Sequence, residues 1–428
     1  MVDMAWTCEI PRLVPMEQSV DEPVVDDPEG EAFRQVSAHF ERTNEIGPGS
    51  KVAVTVGSRG IGGIAEVVRG VVQAVKNLGA EAFIVPAMGS HGGDDPLEKA
   101  AILSHLGITQ ESAGARISST ARIVQAGEGQ GGVPVFCQEE ALSADAIILV
   151  NRIKPHTDFR GEIESGLVKM ACVGLGGFLA ARWVHRLGYD HLGRRVRACG
   201  ETAILNLKVT LGLAILEGHF GRPAVIKAIP QNEIVFQERE LLKQARDLVL
   251  TLPVKSPDIL VVGNMGKEIS GLGLDPLVTG RYPSGKPLPD VDIPEIQRVV
   301  VLDLTDASEG NASGVGLCDV TTRRLYDKID FRGMYRNVIT SRGSASARIP
   351  MVMESDHEAI CVGLLTCHQE NDGNLGMIFV ADTLHLKRFL VSPPLVSCCE
   401  KAGAKKTGEL MELWFDRDNA MVWPDFLK

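Results

Sequence analysis

The chain has 428 residues, 44% of them hydrophobic and 23% charged, so it is long enough for two or three globular domains with sizeable cores. Its 44 basic residues are outnumbered by 55 acidic ones, and the net charge of −11 argues against a general nucleic-acid-binding protein. The most apolar stretch, 170–184, contains six Ala and Gly residues and is shorter than the ~20 residues of a membrane span.

The cysteines and the first residues bear on the compartment. Nine cysteines are spread over the chain without a Cys-x-x-Cys pair. We therefore expect buried, reduced thiols rather than a disulfide framework or a structural zinc site. The opening residues, MVDMAWTCEIPR, have neither the basic nor the apolar segment of a secretory signal. These features predict a soluble, cytoplasmic protein that does not enter a membrane.

Predicted order begins after an N-terminal arm, 1–45, which contains an acidic stretch. Strands and helices then alternate: strand 51–56 (KVAVTV), helix 64–78 ending at Gly79, strand 80–86, helix 96–106 and strand 145–150 (DAIILV). The strands are short runs of β-branched and apolar residues, and the helices have apolar residues at helical spacing. This alternation is typical of a parallel sheet covered on both faces.

The same pattern restarts in the second half of the chain. A helix is predicted over 233–250, a linker over 251–253, and strands within 258–266, 298–305 and 375–383. We therefore predict an α/β protein of two α/β domains with largely parallel sheets. The N-terminal domain spans 46–252 and the C-terminal domain 253–428, with an active-site cleft between them.

Three polar, Gly-rich loops follow predicted strands, where ligands bind in open parallel sheets. They are 57–63 (GSRGIGG), 88–93 (MGSHGG) and 151–169, and the second and third carry His91 and His156. Imidazole exchanges protons near neutral pH, so two of them in one crevice suggest a paired acid and base around a small substrate. Arg59, in the first loop, suits a bidentate carboxylate contact and equally a phosphate or surface contact.

The first loop also offers an alternative interpretation. It is similar to the dinucleotide loop of short-chain dehydrogenases, and Glu81 lies about where a ribose-binding acid would be. That chemistry needs a Tyr and a Lys four residues apart on a helix. The Tyr-x-x-x-Lys sequence here, Tyr282 to Lys286, contains Pro283 and Gly285, which disfavour a helix.

The C-terminal half contributes two further Gly-rich loops. The loop 263–275 carries Lys267 and Glu268, and the loop 303–311 carries three acidic residues. Neither has a recognisable metal-ligand spacing. They are interpreted as solvated turns, with substrate contact across the predicted cleft as the alternative.

Taken in order, four motifs resemble the lactate racemase-like family. They are GSRGIGG, PAMGSHGG, NRIKPHTDFRGEIESGLVKM and the downstream WVHR, which together cover most of residues 50–190. The segments GKEISGLGLDP and GNASGVG in the C-terminal half are similar to the same family. The best-known members use a nickel-pincer nucleotide, a pyridinium-3,5-bisthiocarboxylic acid mononucleotide that carries Ni(II).

The resemblance implies a role for particular residues. It implies that Lys169 holds the nucleotide covalently, that His185 completes the planar coordination of nickel, and that His91 and His156 transfer protons. Planar coordination by soft donors suits Ni(II). It also implies that four further residues contact the cofactor: Arg59, Ser58, Ser165 and Gly166. Less specifically, it implies three substrate contacts: Lys154, Lys267 and Glu268.

The activity implied is racemisation or epimerisation of a small-molecule 2-hydroxy acid through hydride transfer to the cofactor and back. Enzymes that assemble the cofactor are the implied partners, and no nucleic acid or membrane partner is expected. Lactate-type members have an acid where this chain has Val56, and a shorter stretch between the second histidine and the lysine. These departures argue against lactate itself and leave room for a larger hydroxy acid, such as a sugar acid. A non-catalytic homologue that binds the cofactor or ligand is the alternative from another class.

Overall fold

The computed structural model of the protein describes residues 6–19, 23–58, 60–89, 91–93, 95–219, 221–285, 293–368 and 374–427. They form two compact units. The first unit contains the described residues between 23 and 249, and the second joins residues 6–19 to those from 250 onwards. The sequence predicted a boundary three residues later, after 252, and an N-terminal arm over 1–45. This segment instead contributes a strand to the second unit and a helix to the first.

The described strands alternate with helices along most of the chain. The strands are β1 (Val14–Gln18), β2 (Lys51–Val56), β3 (Glu81–Pro86), β4 (Arg116–Ile117), β5 (Ile123–Gly129), β6 (Val133–Gln138), β7 (Ala146–Arg152), β8 (Val209–Glu217), β9 (Pro223–Pro230), β10 (Ile259–Met265), β11 (Arg298–Leu304), β12 (Val320–Thr322), β13 (Met351–Met353), β14 (Met377–Val380), β15 (Arg388–Val391), β16 (Ala404–Lys406), β17 (Trp414–Phe415) and β18 (Met421–Val422). The α-helices are α1 (Pro28–Thr43), α2 (Ile64–Asn77), α3 (Pro96–His105), α4 (Gln110–Ala113), α5 (Glu139–Leu142), α6 (Leu167–Lys169), α7 (Leu175–His185), α8 (Leu192–Asn206), α9 (Ile234–Asp247), α10 (Pro276–Thr279), α11 (Arg323–Asp327), α12 (Phe331–Ser341), α13 (Asp356–Leu365) and α14 (Pro393–Lys401).

The first unit is built on a six-stranded sheet with the order β4-β3-β2-β7-β8-β9. Every neighbouring pair is parallel except β8 and β9. From β2 the chain continues to β3 and β4 on one side, and it returns at β7 on the other side. The carboxyl ends of β2 and β7 therefore flank the switch point of a doubly wound sheet, which is where such folds bind ligands.

Both faces of this sheet are buried, as the β-branched runs in the sequence predicted. Val52, Val54 and Val56 of β2 pack in one hydrophobic cluster, which includes residues of α1 and α2. Ala53, between them, packs in a second cluster with residues of α6 and α9. Successive residues of a strand point to opposite faces, so each residue of the run has a covered face to occupy.

The second unit contains an eight-stranded sheet with the order β13-β12-β11-β10-β14-β15-β1-β16. The neighbours from β13 to β14 are parallel, and the remaining pairs are antiparallel. Strand β1 lies between β15 and β16 and pairs with both. Two α/β units with largely parallel sheets confirm the predicted fold class.

Candidate functional site

The loop after β7 carries His156 and is closed at its base by main-chain hydrogen bonds. The amide of Lys154 donates to the carbonyl of Ser165 at 2.9 Å, and the amide of Ser165 donates back at 3.3 Å. The side chain of Asn151, still on β7, donates to the carbonyl of Gly166 at 2.8 Å. The loop therefore leaves the sheet and returns to it at a defined position, next to the start of α6.

A single buried carboxylate holds the interior of this loop. Glu164 is completely buried, and its Oε2 accepts the amide N–H of His156 at 2.6 Å. Its Oε1 accepts the amide N–H of Gly161 at 3.2 Å and the guanidinium of Arg246, on α9, at 2.7 Å. Arg160 donates to the carbonyl of His156 at 2.5 Å and lies 3.4 Å from the carboxylate. A buried charge with this many donors is compensated, so the loop has one favoured conformation.

The helical run that follows the loop places Lys169. Leu167 and Val168 begin it, and the buried carboxylate of Glu238 on α9 accepts the amide N–H of Val168 at 2.9 Å. Burial raises the pKa of Glu238 to about 7, although hydrogen bonds from the amides of Val168 and Leu167 act in the opposite direction. Gly166 is required here because a Cβ would lie 2.3 Å from an oxygen of Glu238.

Beyond Lys169 the run is irregular. Residues Met170–Gly174 form a π-helical turn, and Gly177, inside α7, has φ 54° and ψ −147°. Only glycine adopts such values without strain. π-Turns within helices occur often at functional sites, because the extra residue re-aims the side chains around it.

His156 and Lys169 meet directly. The Nε2 atom of His156 lies 2.6 Å from Nζ of Lys169, and its Nδ1 atom accepts the amide N–H of Asp158 at 3.0 Å. The imidazole ring also packs on the ring of Phe159, with centroids 4.2 Å apart. The structure thus brings together the predicted proton-transfer histidine and the predicted cofactor lysine.

The surroundings of His156 keep its ring uncharged. Burial lowers the pKa of His156 well below its usual value, and the basic side chains of Lys169, His185 and Lys154 lower it further. The predicted metal ligand His185 and the predicted substrate residue Lys154 therefore act electrostatically on the same ring. A cluster of basic groups around a buried imidazole suits an anionic ligand such as a carboxylate.

The loops after β2 and β3 pack against the same helical run. A Cβ on Gly57 would lie 3.4 Å from the methyl group of Met170, and the amide of Gly89 donates to the carbonyl of Gly174 at 3.4 Å. His91 lies in the turn after β3, where its amide donates to the carbonyl of Met88 at 3.2 Å. All three predicted loops therefore border the run that begins at Lys169.

The loop after β2 is anchored at its far end. The amide of Gly62 donates to Oε1 of Glu217, at the end of β8, at 2.7 Å, and Glu217 also pairs with Arg152. Ser58, predicted to contact the cofactor, is half-buried in this loop. Arg59 lies outside the described residues, so its predicted role stays a prediction.

His185 is the last residue of α7, and its neighbourhood is held by α8. The guanidinium of Arg195 stacks on the ring of Trp183, with its central carbon 3.6 Å from the ring centroid. It also donates to the carbonyl of Trp183 at 3.1 Å and 2.6 Å. This combination of stacking and hydrogen bonding gives the end of α7 a defined position.

The predicted substrate residues of the C-terminal half lie in the second unit. Lys267 is buried, and its amine donates to the carbonyl of Gly271 at 2.9 Å, within the same loop. Glu268 accepts a hydrogen bond from the hydroxyl of Ser308 at 3.2 Å. Their roles as substrate contacts stay predictions.

Sequence reasoning gave no role to two residues of the site: Glu164, which it counted only among the ionisable residues of the third loop, and Glu238. Glu238 lies in an amphipathic helix, α9, where an acid normally faces solvent, so no local pattern indicates its burial. Glu164 lies in a loop rich in charged residues. The one available signal was the basic residues that surround it in sequence, which need a counter-charge if the loop is buried.

Within the described part of the chain, no group of three or more His, Cys, Asp or Glu side chains is arranged to hold a metal ion.

One described helix, Leu167–His185, is long and apolar enough to cross a membrane by length and composition alone, but most of its apolar window is buried in the first unit. The sequence had predicted that this region is too short for a span. Burial and the break at Gly177 are typical of a core helix of a folded unit.

Comparison with family models finds no match, and comparison with curated proteins finds none either. Among solved structures, the chain is similar to the lactate racemase apoprotein from Thermoanaerobacterium thermosaccharolyticum. The sequence identity is 11% and the TM-score 0.47, over 81% of this chain and 88% of that chain. A likeness at this level carries no information on activity.

Proposed function

We propose that the protein is an isomerase that inverts the carbinol carbon of a 2-hydroxy acid with the help of a nickel-pincer nucleotide. The observation that carries the proposal is the 2.6 Å pairing of Lys169 with His156 inside a cluster of basic groups at the switch point of the first sheet. The resemblance of the four ordered sequence motifs, which also contain His91 and His185, supports the roles proposed for these two residues.

The donor set supports such a cofactor. The described residues supply no protein-only metal site, so nickel held here needs donors that come with the cofactor. His185 would supply an imidazole ligand to the nickel of such a cofactor, whose other donors would come with the nucleotide. Lys169, at the start of the π-helical run, supplies an amine for covalent attachment. When bound, the group supplies a reversible hydride acceptor.

The residues of the chain have the remaining tasks. Lys154 and Arg59 bind and orient the carboxylate of the hydroxy acid, and His91 and His156 hold or move the proton of its hydroxyl group. Inversion without net oxidation needs proton handling on both sides of the carbon, which is why two histidines are required. The buried environment of His156 excludes water from that side.

The test begins with protein purified from its native host. We expect intact-mass analysis to show an adduct on Lys169 and metal analysis to show nickel. A stereochemical screen of C3 to C6 hydroxy acids should then identify one that is racemised or epimerised. Absence of inversion of any hydroxy acid by nickel-loaded protein would favour the non-catalytic homologue.

Variants assign the roles. His91→Ala and His156→Ala should each lower turnover at least ~100-fold while nickel stays bound, as expected for loss of an acid or base. Lys169→Ala should remove the mass adduct. His191→Ala is the matched control, because His191 is an exposed histidine of the same unit and should leave turnover unchanged.

The dehydrogenase alternative has less support. Tyr282 is followed by a turn over 283–285 rather than a helix, and Lys286 lies outside the described residues. Dehydrogenase chemistry of this kind needs the Tyr and the Lys on one face of a helix. The described residues 282–285 do not form a helix. Fluorescence titration with NAD(P)H tests this alternative, and saturable binding would revive it.

A further inference from the structure

The turn between His156 and Glu164 has a consequence for the proton on the imidazole ring. An amide N–H can only donate, and the N–H of Asp158 points to Nδ1 of His156 at 3.0 Å. Nδ1 therefore presents its lone pair, and the single proton of the neutral ring lies on Nε2. The Nε2–H group is the one that faces the amine of Lys169, 2.6 Å away.

Glu164 binds the main chain at both ends of this turn, and Arg160 donates to the carbonyls of His156 and Phe159 between them. Glu164 accepts the amide N–H of His156 at 2.6 Å and the amide N–H of Gly161 at 3.2 Å, so it holds both ends of the segment that contains Asp158. Arg246 donates to the same carboxylate at 2.7 Å and to the carbonyl of Gly161 at 3.2 Å. The amide of Asp158 is aimed at the ring because its neighbours on both sides are fixed.

We propose that Glu164 is a positioning residue that sets the tautomer of His156, and that it does so through the main chain and not by touching the ring. It fixes the turn in which the Asp158 amide binds Nδ1, and the ring then offers an N–H donor on the side of Lys169. That the ring acts on a substrate rests on the proposed function; the tautomer itself does not.

The tautomer has a chemical meaning at the site. A ring that carries its proton on Nε2 can donate a hydrogen bond to a substrate oxygen on that side. To accept a proton at Nε2, the ring must first become protonated at Nδ1, and this breaks the hydrogen bond from the Asp158 amide.

The experiment uses the full chain with ¹⁵N-labelled histidine at pH 8, in long-range ¹H–¹⁵N correlation spectra. His156→Gln assigns the signals of His156. We expect the wild-type spectrum to show the pattern of a single tautomer with Nε2 protonated. In Glu164→Gln, the two ring nitrogen shifts should move towards each other as the second tautomer is populated, and hydrogen exchange of the Asp158 amide should accelerate about tenfold.

A second variant keeps the proposal testable if Glu164→Gln does not fold. Arg246→Ala removes a side chain that is 43% exposed, and it should shift the ring nitrogens in the same direction, by less. Glu162→Gln is the control, because Glu162 lies on the same loop but pairs with Arg197, and its carboxylate is 55% exposed. That spectrum should match the wild type.

Two results would overturn the proposal. One is a wild-type spectrum in which Nδ1 of His156 carries the proton. The other is an unchanged single tautomer in Arg246→Ala and in any folded Glu164→Gln protein. A Glu164-dependent tautomer in a protein that inverts no hydroxy acid would leave this proposal standing and refute the proposed function.

Discussion

Replacing Glu238 by Gln tests the physical account of how Lys169 is positioned. Glu238 is completely buried beneath the start of the helical run, where it accepts the amide N–H of Val168 at 2.9 Å. Glutamine has nearly the same shape and keeps an oxygen that can accept this bond. The substitution therefore removes the ionisation of the side chain and leaves its position unchanged.

The magnitude follows from the pKa of the carboxyl group. Burial raises this pKa from an ordinary value of 4.5 to about 7 in the folded protein. Below pH 4.5 the group is protonated in both the folded and unfolded chain. Between these values only the unfolded chain ionises, so the free energy of unfolding falls as pH rises. A difference of about 2.5 pKa units corresponds to about 3 kcal/mol, lost almost entirely by pH 8.

The assay is urea unfolding of the wild type and Glu238→Gln at pH 5 and pH 8, followed by the fluorescence of Trp183. The other tryptophans, Trp6, Trp414 and Trp423, belong to the second unit and are replaced by Phe in both proteins. At pH 5 the unfolded chain is already partly ionised, so Glu238→Gln should gain about 2.5 kcal/mol relative to the wild type between pH 5 and pH 8. The free-energy cost of burying the glutamine amide is the same at both pH values, so it cancels when the effects of the substitution at pH 5 and pH 8 are subtracted.

Glu240→Gln is the matched control on the same helix. The pKa of Glu240 is lowered, chiefly by its hydrogen bond with Lys243, so its carboxylate is ionised at both pH values. The substitution should have the same effect on the free energy of unfolding at pH 5 and pH 8. An equal effect of Glu238→Gln at the two pH values would refute the raised pKa and with it this account of the helix start.

Three further predictions concern the same unit. Because burial holds the pKa of His156 well below its usual value, the contribution of this ring to stability should be lost as pH falls below about 6.5, so His156→Gln should gain stability relative to the wild type between pH 7 and pH 5 in urea unfolding. Gly200→Ala places a Cβ 2.3 Å from a backbone oxygen of α6 and should cost about 1–3 kcal/mol in thermal unfolding, whereas Gly47→Ala, with nothing within 4 Å, should cost under ~1 kcal/mol. Arg195→Met should cost about 1–3 kcal/mol and shift the fluorescence of Trp183; an unchanged spectrum would contradict the stacking described above.

The central strands were predictable because their signal is local. β2 begins and ends at the residues predicted, and β10 and β11 lie within the predicted runs 258–266 and 298–305. A strand buried on both faces must be apolar throughout, and this shows in a window of six residues. The helix start at Pro96 was equally visible, because Asp95 accepts the amide N–H of Leu97 as an N-cap.

The elements that were missed depend on distant partners. Helix α1 begins at Pro28 with Asp27 as its N-cap and buries Ala32, Val36 and Phe40 at helical spacing, but the acidic residues before it dominated the sequence pattern. Strand β1 has five residues, one of them Pro15, and no local pattern identifies the strands it pairs with.

In the site, position along the chain predicted the grouping of His156 with Lys169, since both follow β7. The acids that hold them were not predictable in the same way. Glu238 comes 69 residues after Lys169 and accepts a main-chain amide N–H. Every residue except proline has such an amide, so the sequence does not show which one Glu238 binds. Sequence identifies the groups that do chemistry more readily than those that support them, because support is given by geometry.

The placement of β1 between β15 and β16 has a consequence for biosynthesis. Met16 pairs with Phe389 on one side and with Lys406 on the other, so the strand leaves the ribosome some 370 residues before its first partner. The first unit, a continuous segment, can form during translation, whereas the eight-stranded sheet must wait for its last strands. A fragment that starts at residue 250 would expose two unpaired strand edges, and we expect it to aggregate unless the peptide 6–19 is supplied in trans.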